Sequence, residues 1–344
     1  MNARDRFLAV LDGVQPDRVP TFEILIHPTV VEALCPGGNH ADFLEKMDIE
    51  GAITGTPSSL YAKTVVDREK HIVRDEWGVT RGVGTEVVPM PMGGPIETMD
   101  DLRDYRAPDP WAPGRLQQLE DLAARFRGQR ALGVHLHDSF SYPTYLMGMD
   151  KLLMALHLDP DLVRALVDLS VEHTLGMIEH AAKLGAEFVL FGDDYAATAG
   201  PLMSPKSFEE FLLPGLRTVV AAARERGLRV IKHTCGRISP LLDMIVDTGI
   251  NALHPLDAAA GMDMAAVKRQ YGDRIAVCGG INCGEVLSDW TPEQVREEVR
   301  RRLEELMPGG GYIMSSSNSI HSRVRPENYG AMIEALHEYG VYPA

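Results

Sequence analysis

From residue 129 onward the chain alternates between short β-rich apolar runs and longer amphipathic stretches, and few architectures accept that order. The apolar runs are "RALGVHL" (130–136), "EFVLFGD" (187–193), "LRVIKHT" (228–234), "INALHP" (250–255), "RIAVCGG" (274–280) and "GYIMSSS" (311–317). Between most of them lie helical patterns such as "SPKSFEEFLLPGLRTVVAAARERG" and "TPEQVREEVRRRLEELMPGGG", each opened by Ser/Thr-Pro and stopped by glycine. Strand, helix, strand, helix predicts a parallel sheet. Earlier, "RVPTFEILIH" reads as a first strand and "GAITGT" as a second, which brings the count to that of a closed (β/α)8 TIM barrel. A doubly wound open sheet is the other α/β solution, but no G-x-G-x-x-G follows the first strand. Residues 61–110 break the alternation with glycines, alternating polarity and a proline-rich tail. They predict a β-hairpin insertion followed by a short helix, serving as a lid or an interface, on one domain spanning 1–344.

Composition narrows the function. Asp and Glu (49) outnumber Lys and Arg (34), for a net charge of −15, which disfavours nucleic acid and anionic membranes as partners. No stretch has the length and apolarity of a membrane span, and "MNARDRFLAVLDG" has the charge and helical pattern of a folded segment, not of a signal peptide. Four scattered cysteines (Cys35, Cys235, Cys278, Cys283) do not make a disulfide framework and suit a reducing, cytoplasmic setting.

In a barrel the chemistry gathers at the C-terminal ends of the strands. There the sequence places Glu23 and His27; His135, His137 and Asp138; Asp193 and Asp194; His233 and Cys235; His254; Cys278, Asn282 and Cys283; and Ser315 to Asn318. Positions i and i+2 of a strand share a face, so His233 and Cys235 stand together with Thr234 turned away. An imidazole beside a thiol is a zinc-ligand pair. Cys278 is the first choice for a third ligand, with Asp193 or Asp194 as carboxylate alternatives, and an inward aspartate or Glu23 also suits acid–base work. Adjacent Asp193 and Asp194 face opposite ways, so one is expected to face the mouth while the other caps the segment before "SPKSFEE". His135, His137, His254, Asn282 and Asn318 are candidate substrate contacts, and Tyr142 and Tyr145 in "SFSYPTYLMGM" are candidate walls for an apolar substrate.

The stretches "RDRFLAVLDGVQPDRVP", "RDEWGV", "GPLMSPKSFEEFLLPGL", "IKHTCGRISPLL", "GMDMAAVKRQYGDRIAVCGGIN" and "RVRPENYGAMIEAL" occur in an order that resembles the uroporphyrinogen decarboxylase superfamily, from residue 3 to about 338. The resemblance implies a (β/α)8 barrel and two functional branches. The decarboxylase branch grips its octacarboxylate substrate with an arginine-rich first strand. Here "TFEILIHPTVVEAL" has no arginine or lysine. The other branch consists of zinc-dependent methyltransferases that exchange a methyl group with a corrinoid held on another protein. Their His-x-Cys matches His233 and Cys235, while their late cysteine is absent from "GYIMSSSNSI", where Ser317 or Asn318 stands. The chain has no D-x-H-x-x-G, so a corrinoid (cobalamin) is expected on a partner protein.

The expectation is therefore a methyltransferase with bound Zn2+, preferably an O-demethylase of a methoxylated small molecule, with homodimerisation suggested by the insertion. The alternatives are a metal-free decarboxylase or lyase of a small acid, and a non-catalytic barrel within a larger assembly.

Overall fold

The computed structural model describes residues 1–55 and 64–343. Strands form where the apolar runs predict them. The principal sheet contains β1 (Gly51–Thr54), β6 (Ala131–Leu136), β7 (Phe188–Phe191), β10 (Arg229–His233), β11 (Ala252–His254), β12 (Ala276–Ile281) and β13 (Tyr312–Ser316). They neighbour one another in that order, all parallel, in a curled α/β sheet of TIM-barrel type. Between β1 and β6 an antiparallel sheet runs through β2 (Thr64–Asp67), β3 (Ile72–Arg74), β4 (Thr80–Gly82) and β5 (Met90–Gly93), and a short ribbon pairs β8 (Ala196–Ala197) with β9 (Gly200–Pro201). The insertion is thus four strands where one hairpin was expected, followed by helix Met99–Asp104; positions 61–63 of that expectation lie outside the described residues.

The expected first strand is the main departure. Residues 20–26 make single bridges instead of a ladder: Thr21 pairs with Met314 on β13 and Phe22 with Gly51 on β1. This segment thereby touches both edges of the seven-stranded sheet. Pro20 has no N–H to give a ladder, and the Thr21 N–H is taken by the Glu50 carboxylate at 3.0 Å. A second departure lies in the stretch 204–226, expected as one helix. A π-turn, Phe208–Leu212, interrupts it just before Pro214, whose missing N–H forbids the usual α-helical bond there.

Period-two alternation sorts each strand's side chains. Leu132, Val134, Val189, Phe191, Val230 and Leu253 pack outward into the large core under the helices. Ala131, Phe188, Leu190, Ile231, Ala252, Ala276, Cys278 and Ile313 fill the interior together with Phe7, Leu8 and Phe22. Helix Ala3–Leu11 supplies Phe7 and Leu8 and closes the end where the strands begin: Arg4 binds Glu187 and Arg229 binds Asp12, both ahead of or at strand starts. Carrying the same alternation to the opposite end turns His135, His233, His254 and Ser315 inward as one polar layer.

Candidate metal centre at the mouth of the curled sheet

β10 ends in His233, and Cys235 follows two positions on. The imidazole Nε2 lies 3.3 Å from the Cys235 Sγ and 3.4 Å from the Asp194 Oδ1. The ligand atoms of Asp194, His233 and Cys235 all fall within 4.8 Å of one another. The Cys235 N–H donates to Asp194 Oδ1 at 2.7 Å, which holds the carboxylate against the turn, and Asn318 Nδ2 donates to the Cys235 Sγ at 3.5 Å. Asp194 is held down at about 2, because hydrogen bonding and charge from His233 together with the Cys235 N–H outweigh a burial effect that acts upward. Burial, with Asp194 and Asp257 adding to it, pushes the Cys235 thiol well above its ordinary range.

The orientation of His233 comes from the layer behind it. Its Nδ1 lies 2.7 Å from the His254 Nδ1, and the His254 Nε2 lies 3.1 Å from the Ser316 carbonyl oxygen and 3.0 Å from the Ser315 Oγ. A carbonyl only accepts, so His254 Nε2 carries the proton and its Nδ1 is the acceptor. His233 must then donate from Nδ1, and its Nε2 lone pair points into the trio, where it accepts the Cys235 S–H at 3.3 Å or a metal ion. His254 is fully buried, and burial and the neighbouring His233 keep it neutral. His254 is therefore a positioning residue one step behind the mouth.

The trio opens into a cavity of about 310 Å³ lined by Ile24, Leu25, Asp75, Arg81, Val87, Val88, Pro89, His135, His137, Tyr145, Gly192, Asp194, His233, Asn318 and Ser319. Asp75, Arg81 and the 87–89 loop belong to the antiparallel insertion, which thus roofs the mouth. His135 is buried against Gly192, where any Cβ would lie 2.0 Å from its Nε2. The Nδ1–H of His137 donates to Asp193 Oδ1 at 2.8 Å.

Several expected site residues lie elsewhere. Cys278 is in the dry interior with Ile313 and Ala276, outside the trio, and Asp194 stands in its place. Asp193 is buried facing away from the trio. Its Oδ2 accepts the N–H groups of Asp138, Phe140 and Ser141 at 2.7–3.1 Å, so it caps the helix Ser141–Met147 and not the segment before Pro205. Glu23 points outward, since its neighbours Phe22 and Ile24 point in, and its carboxyl meets the backbone N–H and hydroxyl of Ser316. Asn282 turns into its own loop and accepts from Gly284 and Glu285 N–H. Tyr142 stacks on Trp77 with ring centroids 3.9 Å apart and supports the roof instead of lining the cavity. Arg81 and Asp75 were not foreseen. Nor was Lys232, fully buried, whose Nζ binds Asp138 Oδ2 at 2.7 Å and the Asp193 carbonyl at 2.9 Å. Its only sequence signal was a lysine on the outward face of an otherwise apolar strand.

A curled parallel sheet with a candidate N, S, O ligand set at the ends of its strands defines an α/β fold of TIM-barrel type with a candidate metal site at its mouth. The family model described as uroporphyrinogen decarboxylase (URO-D) matches residues 71–339, and the chain belongs to that family. Among curated relatives, the uroporphyrinogen decarboxylase of Aeromonas salmonicida is 24% identical over 262 residues, covering 71% of this chain and 69% of its own. That of Cellvibrio japonicus is 30% identical over 187 residues, covering 53% and 50%. A solved structure of a methyltransferase from Methanosarcina mazei superposes with a TM-score of 0.76 at 18% identity, covering 98% of this chain and 99% of that one, which establishes the shared fold.

Proposed function

We propose that this protein is a zinc-dependent methyltransferase that removes a methyl group from a methoxylated small molecule and passes it to a corrinoid carried by a partner protein. The observation that carries the reading is the convergence of Asp194, His233 and Cys235 on one point beside a small roofed cavity. The donor set suits zinc: one imidazole nitrogen, one sulfur and one carboxylate oxygen leave an open position, as catalytic zinc sites do. The separations of 3.3 and 3.4 Å are close to the roughly 3.3–3.6 Å between ligands that zinc bond lengths of about 2.0–2.3 Å imply for a tetrahedron. The Nε2 lone pair of His233 is aimed at the point where the Cys235 sulfur and the Asp194 carboxylate also meet, the arrangement a cation requires. Bound at the trio, zinc would supply Lewis acidity toward the ether oxygen or thiol that carries or receives the methyl group.

The remaining tasks fall to the chain itself. His254 fixes the tautomer of His233, Asn318 steadies the Cys235 sulfur, and Tyr145, His135 and His137 confine the substrate. The insertion covers part of the mouth, and the partner protein must present its cofactor at the side left open. A reducing cytosolic setting keeps the thiol ligand available. Among the described residues no helix is long and apolar enough to cross a membrane.

The curated relatives' names raise decarboxylation as the second reading. A cavity of about 310 Å³ with one arginine in its described wall is at the small end of ligand sites and a poor cradle for an octacarboxylate. The test is metal analysis of protein purified without chelator. About one zinc per chain is expected, lost in His233→Ala and in Cys235→Ala and reduced in Asp194→Asn. Absence of zinc from the wild type, or full retention in both ligand variants, rejects the methyltransferase reading.

A further inference from the structure

The cavity that Asp194 and His233 line has one arginine among its described lining residues. Arg81, the middle residue of β4, is buried, with 7% of its surface exposed. Its Nε donates to Asp75 Oδ2 at 2.5 Å. Asp75 Oδ1 in turn accepts the N–H groups of Trp77 and Val79 at 2.9 and 3.0 Å, so this carboxylate is the hub of a tight turn and holds the arginine by one edge. The guanidinium also lies over the Tyr145 ring, 4.7 Å from its centroid. Two contacts therefore fix its plane before any ligand arrives. Asp75 takes the Nε–H, and among the described residues no hydrogen-bond partner meets either Nη. A guanidinium clamped at Nε with its Nη pair open matches a carboxylate, which accepts two parallel N–H bonds.

We infer that Arg81 is a specificity-determining residue that binds a carboxylate of the substrate, and that the substrate is a small methoxylated carboxylic acid held between Arg81 and the metal trio. The inference deepens the proposed function and rests on it for the site and for the methoxy group, while the carboxylate anchor rests on Arg81 alone. Charge orients the substrate. Arg81 is the one Lys or Arg among the described lining residues, and with Asp75 at its Nε edge it offers the Nη pair to an acceptor. Asp194 lies in the same cavity and disfavours an anion beside the trio, so the charged end is directed to Arg81 and the methoxy end toward His233 and Cys235. Tyr145, His135 and His137 line the same cavity, and their rings suit a flat substrate.

The test compares para-methoxybenzoate with its neutral isostere para-methoxybenzamide by isothermal titration calorimetry. Wild type is expected to bind the acid at least about tenfold more tightly than the amide, the scale of a charge-assisted pair of hydrogen bonds. Arg81→Gln is expected to bring the two to within about twofold of each other, by weakening the acid far more than the amide, and Arg81→Lys to retain part of the preference. Equal binding of acid and amide by wild type, no saturable binding of either, or an equal weakening of both in Arg81→Gln overturns the inference. The wild-type comparison needs no variant, so it decides the matter even where Arg81→Gln fails to fold. Zinc content measured on the same samples separates the two readings. Discrimination by Arg81 without zinc sinks methyl transfer alone, and zinc at the trio without discrimination sinks the carboxylate anchor alone.

Discussion

A carboxyl group behind the sheet wall, such as that of Glu23, has only protein to solvate it. Burial raises it from 4.5 to about 8, against the opposing effect of the two Ser316 hydrogen bonds. In the unfolded chain it ionises near 4.5, so between that pH and about 8 the folded state keeps a proton that the unfolded state has lost. The associated stability is fully present below the lower value and is lost as pH rises through the upper one. Glu23→Gln, which stays neutral, is expected to gain on the wild type by on the order of a few kcal/mol between about pH 5 and pH 8.5. Denaturant unfolding at the two pH values checks this, and a difference independent of pH rejects it. At this scale the sequence revealed the His233–Cys235 pair, because a strand's two-residue period needs no partner strand. It did not reveal that His254 backs His233. That depends on the register of β10 against β11, which sets the two histidines side by side.

The antiparallel insertion acts through its docking onto the main body. Gly94, just after β5, lies against the helix Ser141–Met147 so closely that a Cβ there would be 2.1 Å from the Leu146 carbonyl oxygen. The same carbonyl accepts the Ile96 N–H at 3.0 Å. Gly94→Ala is therefore expected to push the roof off its seat, at a cost of about 1–3 kcal/mol typical of overpacking. Amide hydrogen exchange should rise in β3 to β5 more than in the parallel strands. Unchanged exchange in the insertion would show that the roof does not depend on this contact. The insertion itself was legible as a break in the alternation, but its coverage of the mouth was not, because that depends on where Gly94 and Trp77 meet the helix 141–147. Arg81 escaped notice for the same reason: on sequence alone it is one polar residue in a glycine-rich strand.

For the molecule as a whole, helix Ala3–Leu11 closes the end opposite the trio. Phe7 is fully buried, with its ring 5.0 Å from that of Phe188 and 5.7 Å from that of Phe22. These contacts join the first residues of the chain to β7 and to the bridging segment that meets both sheet edges. Phe7→Ala is expected to destabilise the fold by about 3–5 kcal/mol, as a large-to-small change in a packed interior does. Thermal unfolding should move down as one transition. Loss of the helix alone, with the parallel sheet unfolding at its original temperature, would show that this end is an appendage.

The amino-acid order by itself determined the parallel α/β architecture, the inward pairing of His233 with Cys235 and the net acidic charge. Each of these follows from short-range periodicity or from composition. Tertiary structure decided the rest. It put Asp194 and not Cys278 beside the pair, turned Glu23 and Asn282 away, and brought Arg81 from a separate sheet into the same cavity. The physical reason is that a strand's alternation fixes only which of two faces a side chain takes. The height at which it sits and the neighbour it meets depend on strand stagger, turn geometry and the packing of elements distant in sequence.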